Sequence, residues 1–335
     1  MPVIFNKDQR RQEPPQMKKR YLALTLALVL LMTVFAALQL LTRQNAEVLP
    51  TRKSRIPTDA VKITPLTDAA PPESLTDDYA NPVPVPGLVN TAGAEDSAFV
   101  MPDCNTLYFF FCPDVRISVD QQVQDKTVGI YVSHLVNDSW SEPQRVILQD
   151  LGKLAMDGAE FVQDNVMFFA SARESYTGIH WFRAEYIDGK WQNWANADEE
   201  LKTSEYQTGE LHISPDGNEL YFHSARAGGK GGLDIWVSRK VNSSWAEPLN
   251  VAALNSPSDD GWPALSPDGS ELWFSRDYAV WRSVKLDGAW QTPIKMFSPL
   301  CGEPSVDSSG NVYFTHHFFA NNTMIEADIY VAYRK

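Results

Sequence analysis

One pattern returns five times between residues 97 and 335: a short apolar strand, a tight turn, a strand rich in aromatics, then a third strand. The clearest copies read LHISPDGNELYFHSARAGGKGGLDIWVSRKVNSSWAEPLNV (residues 211–251) and PALSPDGSELWFSRDYAVWRSVKLDGAWQTPIKM (263–296). Such a unit cannot bury both faces of its own sheet, so it must pack on copies of itself. That requirement constrains this chain more than any other feature.

The aromatic strands are LYFFF (107–111), VMFFA (166–170), LYFHS (220–224), LWFSR (272–276) and VYFTH (312–316). Period-two alternation puts an aromatic on each face, as a sheet stacked between two neighbours requires. Each is preceded by a turn: PDCN, QDN, PDGN, PDGS and DSSGN. Pro, Asp and Gly pre-set tight hairpins, with Gly supplying positive φ. The first copy has Cys104 where others have Gly, and the second turn is shortened. Third strands follow, and in four copies a fourth strand marked by Trp140, Trp191, Trp245 or Trp290. The fifth copy stops at Lys335 without one, while VPVPGLVNTAGAED (83–96) parallels LNVAALNSPSDDG (249–261). The expected fold is therefore an all-β, five-bladed β-propeller over residues 82–335. Residues 82–89 would close the ring as the missing outer strand, removing exposed edges.

The segments SPDGNELYF, GGLDIWVS and WAEPLNVAALNS resemble the TolB-type, WD40-like (PD40) propeller repeat of bacterial exported proteins. The likeness spans residues 85–335 and is clearest in the third and fourth copies. It implies an extracytoplasmic binding or scaffolding module and no particular reaction, because propellers host many functions.

Residues 21–41 are 21 residues without a charge, long enough as a helix (about 31 Å) to cross a bilayer. Lys18, Lys19 and Arg20 precede them, which favours a cytoplasmic tail (1–20), a signal anchor (21–41) and an exported remainder. A cleaved signal peptide is the rival reading, although Phe35-Ala36-Ala37-Leu38 makes a poor cleavage site. Residues 42–81 lack periodicity and are rich in Pro, Thr and Asp, which reads as a Pro-rich linker. The expected location is the inner membrane, single-pass, with the propeller in the periplasm.

The net charge of −13 is about −20 over residues 56–335 once the basic N-terminal stretches are set apart. Such a body repels nucleic acid and excludes it as a partner. Acids recur at the start of each innermost strand: Glu95 and Asp96, Asp157 and Glu160, Glu210, Asp259 and Asp260, and Glu303. Convergence on one tunnel mouth would make a cation or basic-ligand site, with Ca²⁺ one candidate. The plainer alternative is solvated loop acids. Asp96, Asp157, Glu210, Asp260 and Glu303 are the ligand-binding candidates, with Trp262, which lies out of register with the other tryptophans. A glycosidase or lyase using two of these carboxylates is the enzymatic alternative to a non-enzymatic envelope scaffold that binds protein or glycan.

His223 and the pair His316–His317 fall at the ends of second strands near the same mouth as the acids, and together they could form a ligand or metal site. The sequence shows no HExxH spacing, and exposed rim histidines are the plainer alternative. GGKGG (228–232) lacks the Ser/Thr and the helix of a phosphate loop. The recurrent tryptophans are read as packing between repeats. Of three cysteines, Cys104 and Cys112 sit about 26 Å apart along a strand and cannot pair there. Cys112 and Cys301 fall on neighbouring copies, so a disulfide across the closure is open to them.

Overall fold

A computed structural model describes residues 50–150, 152–201 and 208–335. The tail, the apolar span and the first residues of the linker lie outside the described residues. Among the described residues, no helix is long and apolar enough to cross a membrane.

The fold is an all-β propeller in which each repeat is an antiparallel meander. In repeat 1, Ala94–Val100 pairs with Thr106–Cys112, which pairs with Gly129–Val136, which pairs with Gln144–Arg145. Repeat 2 runs Ala155–Gln163, Val166–Arg173, His180–Ile187, Lys190–Asn196. Repeat 3 runs Thr208–Ile213, Glu219–Ser224, Asp234–Val241, Leu249–Asn250. Repeat 4 runs Asp260–Leu265, Glu271–Arg276, Ala279–Leu286, Ile294–Ser298. Repeat 5 runs Cys301–Val306, Val312–Ala320, Thr323–Ala332, and its outer strand is Val83–Pro84. The first strands neighbour one another in cyclic order, the fifth beside the first.

The inner hairpin turns explain the register. Gly217, Gly269 and Gly310 sit at φ +72°, +71° and +79°, where a Cβ is disfavoured. Ser214 and Ser266 donate to Asp216 and Asp268 at 2.6 Å, stapling the turn. Cys104 takes the same left-handed conformation, φ +59°, without the glycine that would relax it.

Two stacking devices recur. Within each repeat, a second-strand Phe pairs across with a third-strand aromatic: Phe109–Tyr131, Phe169–Phe182, Phe222–Trp236, Phe274–Trp281, Phe314–Tyr330. Guanidinium groups lie over them, Arg173 at 4.0 Å from Phe182, Arg226 at 4.8 Å from Phe222 and Arg276 at 4.5 Å from Trp281. Between repeats, an outer-strand aromatic meets the preceding repeat's second strand edge-on. Trp191 packs on Tyr108, Trp290 on Tyr221 and Trp140 on Tyr313, the last across the junction of repeats 5 and 1.

The Pro-rich segment is where structure and expectation part. From Pro50 onward it is a strap laid over repeats 5, 1 and 4 rather than a free spacer. Its prolines suppress periodic structure but suit extended chain, and single side chains do the anchoring. Arg52, 3% exposed, adds a guanidinium to the repeat 1 aromatics, where the repeat's own Arg145 already lies 5.8 Å from the Tyr131 ring. Arg52 lies 5.2 Å from the Phe111 ring and bonds Glu95 at 3.0 Å and Val89 O at 2.8 Å. Lys62 Nζ contacts both Glu326 and Asp328, buried acids of repeat 5. Asp68 pairs with His316 at 3.0 Å, and Glu73–Ser74 adds a further strand to repeat 4.

Tyr79 completes the ring. It bridges Arg334, the same register that places Trp140 opposite Leu135, Trp191 opposite Tyr186, Trp245 opposite Lys240 and Trp290 opposite Lys285. Its ring meets Trp273 of repeat 4 edge-on at 5.8 Å. Tyr79 is thus the aromatic plug of repeat 5, joined by an isolated bridge ahead of the closing strand Val83–Pro84. Asn90 then clamps Ile329 through both backbone groups, as Asn255 clamps Ile235.

Because the other four slots hold Trp, Tyr79→Trp should keep wild-type stability, whereas Tyr79→Ala should cost about 3–5 kcal/mol. Chemical denaturation of both variants measures this. Equal losses would show that Tyr79 is not the plug.

Candidate functional site

The site begins with a bulge repeated in every first strand. Pairing slips between Asp96 and Phe99, Gly158 and Phe161, Thr208 and Leu211, Gly261 and Ala264, and Gly302 and Ser305. A bulge re-aims the side chain it carries. The residues at that slot are Ser97, Ala159, Glu210, Trp262 and Glu303. Four of them take positive φ: Ser97 +51°, Ala159 +53°, Trp262 +55° and Glu303 +56°. Non-glycine residues in this conformation are strained and concentrate at functional sites.

Three of these side chains meet. Ser97 Oγ lies 2.8 Å from Glu210 Oε1 and 3.1 Å from Glu303 Oε2, so its one proton can go to either, and Ser97 N donates to the same Glu303 oxygen at 2.8 Å. They come from repeats 1, 5 and 3, so the contact spans the tunnel. Ser275 Oγ accepts from Glu303 N at 2.7 Å, and Thr315 Oγ1 donates to Glu303 at 3.3 Å. Above them opens a cavity of about 720 Å³ whose lining includes Asp96, Trp262, Tyr278, Glu303, His317 and Phe319. The opposite mouth is smaller, about 390 Å³, and largely apolar, lined by Phe99, Phe161, Ile213 and Leu265 with His212 among them.

Burial and mutual repulsion set the charge state. Burial, reinforced by Asp96, pushes Glu303 well above the carboxylate range, and Glu210 rises to about 8 for the same two reasons. Burial would raise Asp96 too, but hydrogen bonding to Glu303 and the nearby His317 bring it below its ordinary value. The two shifts run in opposite directions, so a proton entering the pair goes to Glu303 before Asp96. Glu160, 5% exposed with neither carboxylate oxygen partnered among the described residues, is also driven up by burial, Glu210 and Asp96.

Of the sequence candidates, Asp96, Glu210, Trp262 and Glu303 come together here. Asp157 and Asp260 do not. Both are 0% exposed and face away from the mouth, salt-bridged to Arg173 and Arg276. Their place one strand position before Gly158 and Gly261, the slot that Asp96 fills in repeat 1, turns them into the sheet, where each holds a stacked guanidinium. Glu95 does the same for Arg52.

Cys112 and Cys301 are buried free thiols, not a disulfide. Each sulfur is turned to a local carbonyl, Asp114 O at 3.4 Å and Pro299 O at 3.1 Å. Ser97, Ser275, Thr315, Tyr278 and Phe319 escaped sequence reasoning. Alignment on the bulge slot would have found Ser97; the others come from neighbouring strands and loops, with no motif to mark them.

His223 fixes the strained tryptophan. Its Nδ1 accepts from Trp262 N at 3.0 Å, and the two rings lie 4.9 Å apart. Burial, opposed only by Asp259, pushes His223 down to about 4.

No known family model matches the chain, and no curated protein matches it. Among solved structures it is similar to a protein assigned as TolB from Agrobacterium tumefaciens (16% identity, 75% of this chain and 78% of that one, TM-score 0.42). It is also similar to an endo-arabinase from Bacteroides thetaiotaomicron (13%, 75% and 98%, TM-score 0.48). A third is a gluconolactonase from Xanthomonas campestris (12%, 82% and 99%, TM-score 0.44). At these identities the likeness concerns the fold and not the activity.

A buried neutral His223 binds fewer protons folded than unfolded between its usual 6.5 and about 4. Its contribution is therefore complete above pH 6.5 and is lost as pH falls through that window. By pH 5 the loss should reach about 2 kcal/mol. His223→Gln keeps an acceptor without titrating, so its stability should fall less between pH 7 and pH 5. Parallel curves for the two proteins would refute this.

Proposed function

We propose that this protein is a membrane-anchored, five-bladed propeller that binds a ligand non-enzymatically at its acidic tunnel mouth. The observation that carries the reading is the 720 Å³ cavity in which carboxylates of Asp96 and Glu303 face Trp262, Tyr278 and Phe319. Concave sites with aromatic walls and a few convergent polar groups are where ligands bind. The pairing suits a partner that offers hydroxyl or cationic donors beside an apolar face. A glycan or a basic segment of an envelope protein has that chemistry.

The strained, His223-braced Trp262 makes a rigid stacking surface. Trp262→Ala should abolish binding on a glycan array or to peptides scanned from envelope proteins, while Trp290→Ala, which removes packing between repeats, should alter stability instead. Binding that survives Trp262→Ala would remove this mouth as the site.

The sharing of Ser97 Oγ by Glu210 and Glu303 supports a second reading, glycoside cleavage by a close carboxylate pair. Hydrolysis by the purified protein that falls roughly 100-fold or more in both Glu210→Gln and Glu303→Gln would favour it. Binding without turnover favours the first.

The apolar stretch 21–41 and its preceding basic residues support an inner-membrane anchor with the propeller in the periplasm. Externally added protease should digest residues 50–335 in spheroplasts while leaving the tail intact. Full protection of residues 50–335 would overturn the orientation.

A further inference from the structure

Three donor atoms converge beneath the cavity. One carboxylate oxygen of Asp96, one of Glu303 and a ring nitrogen of His317 lie within 4.8 Å of one another. His317 is 8% exposed, and its environment decides what the trio can hold. Its Nδ1 lies 3.3 Å from Leu300 O. A carbonyl only accepts, so Nδ1 carries the ring proton in the neutral tautomer and Nε2 presents a bare lone pair. Nε2 faces Asp96 Oδ1 at 3.9 Å, beyond hydrogen-bond reach, and has no hydrogen-bond partner among the described residues.

In the neutral ring that lone pair faces a carboxylate, an arrangement relieved either by a proton on Nε2 or by a metal cation held between the two groups. The far nitrogen fixed on a backbone carbonyl and the near one left open is the orientation metal-binding histidines take. The remaining groups are held as well. Glu303 is fixed by Ser97 N and Thr315 Oγ1. A Cβ on Gly302 would come within 3.2 Å of the His317 ring, so glycine keeps that ring in place. Arg276, also on the cavity lining, is engaged by Asp260 and Leu254 O and does not neutralise the trio.

We propose that Asp96, Glu303 and His317 bind one divalent transition-metal ion of the zinc class. One imidazole with two carboxylates suits such borderline ions. Calcium, anticipated from the carboxylates alone, takes six or more oxygen ligands in a larger cage. The inference does not rest on the ligand-binding reading, because the trio holds its ion whether or not a ligand enters above it.

Detergent-solubilised full-length protein, stripped with EDTA and dialysed, is titrated calorimetrically with Zn²⁺ and, separately, with Ca²⁺. One equivalent of Zn²⁺ should bind, and Ca²⁺ at about 1 mM should give no heat. His317→Gln should weaken Zn²⁺ binding about 100-fold, while His134→Ala, at an exposed histidine far from the mouth, should not change it. Loading wild type with Co²⁺ provides a test free of any folding defect in the variant: visible d–d bands should appear and disappear when Zn²⁺ is added. Absence of Zn²⁺ binding, preference for Ca²⁺, or binding unchanged in a folded His317→Gln protein (an adventitious ion only) would each overturn the proposal.

Discussion

Everything in this fold depends on how the last repeat is closed by the first part of the chain. A propeller repeat buries its faces only against neighbours, so the ring is as secure as its weakest junction. At three of the junctions an outer-strand tryptophan packs edge-on against the aromatic at one fixed position of the preceding sheet. In repeat 5 the outer position is filled from the N-terminal side. Tyr79 supplies the aromatic, Val83–Pro84 the strand, and Arg52 and Lys62 the cations for Glu95, Glu326 and Asp328. Three buried carboxylates at the closure would otherwise lack counter-charge, and removing one partner from a buried ion pair costs several kcal/mol.

The same closure creates the functional mouth. Ser97, Glu210 and Glu303 belong to repeats far apart in sequence and meet only because the first strands are brought round a common axis. Each is delivered there by a bulge, which at Ser97 and Glu303 holds the backbone strained at positive φ. Withdrawn from water, the carboxylates then bias one another's protonation, Asp96 shifted down and Glu303 shifted up.

Neighbouring acids with the same sequence signature have different fates, and pleating is the reason. Asp157 and Asp260 sit one residue before the glycine that precedes the bulge, so they turn into the sheet and meet Arg173 and Arg276. Asp96 occupies the glycine position itself and turns toward the mouth. A one-residue step moves a carboxylate from structural counter-ion to candidate ligand. A list of acids at strand starts therefore mixes the two kinds, and only the register separates them.

The local code was legible because it is periodic: alternating aromatics, Asp-Gly turns and the recurrent Trp fixed the strands, the inner hairpins and the existence of five repeats. The likeness of residues 83–96 to 249–261 even pointed to an outer strand borrowed from the N-terminal side. What had no period was invisible. Tyr79, Arg52, Lys62 and Asp68 make their anchoring contacts with partners 36 to 266 residues away, inside a Pro-rich stretch that reads as spacer. Ser97 became a site residue only when ring closure set it beside Glu210 and Glu303, whereas His317, already placed near the mouth by its strand end, gained its particular partners there. Sequence by itself determined the repeat, because propensity and alternation act over neighbouring residues. Tertiary structure alone decided the strap and the mouth, because both arise from contacts between distant segments that only the closed ring brings together.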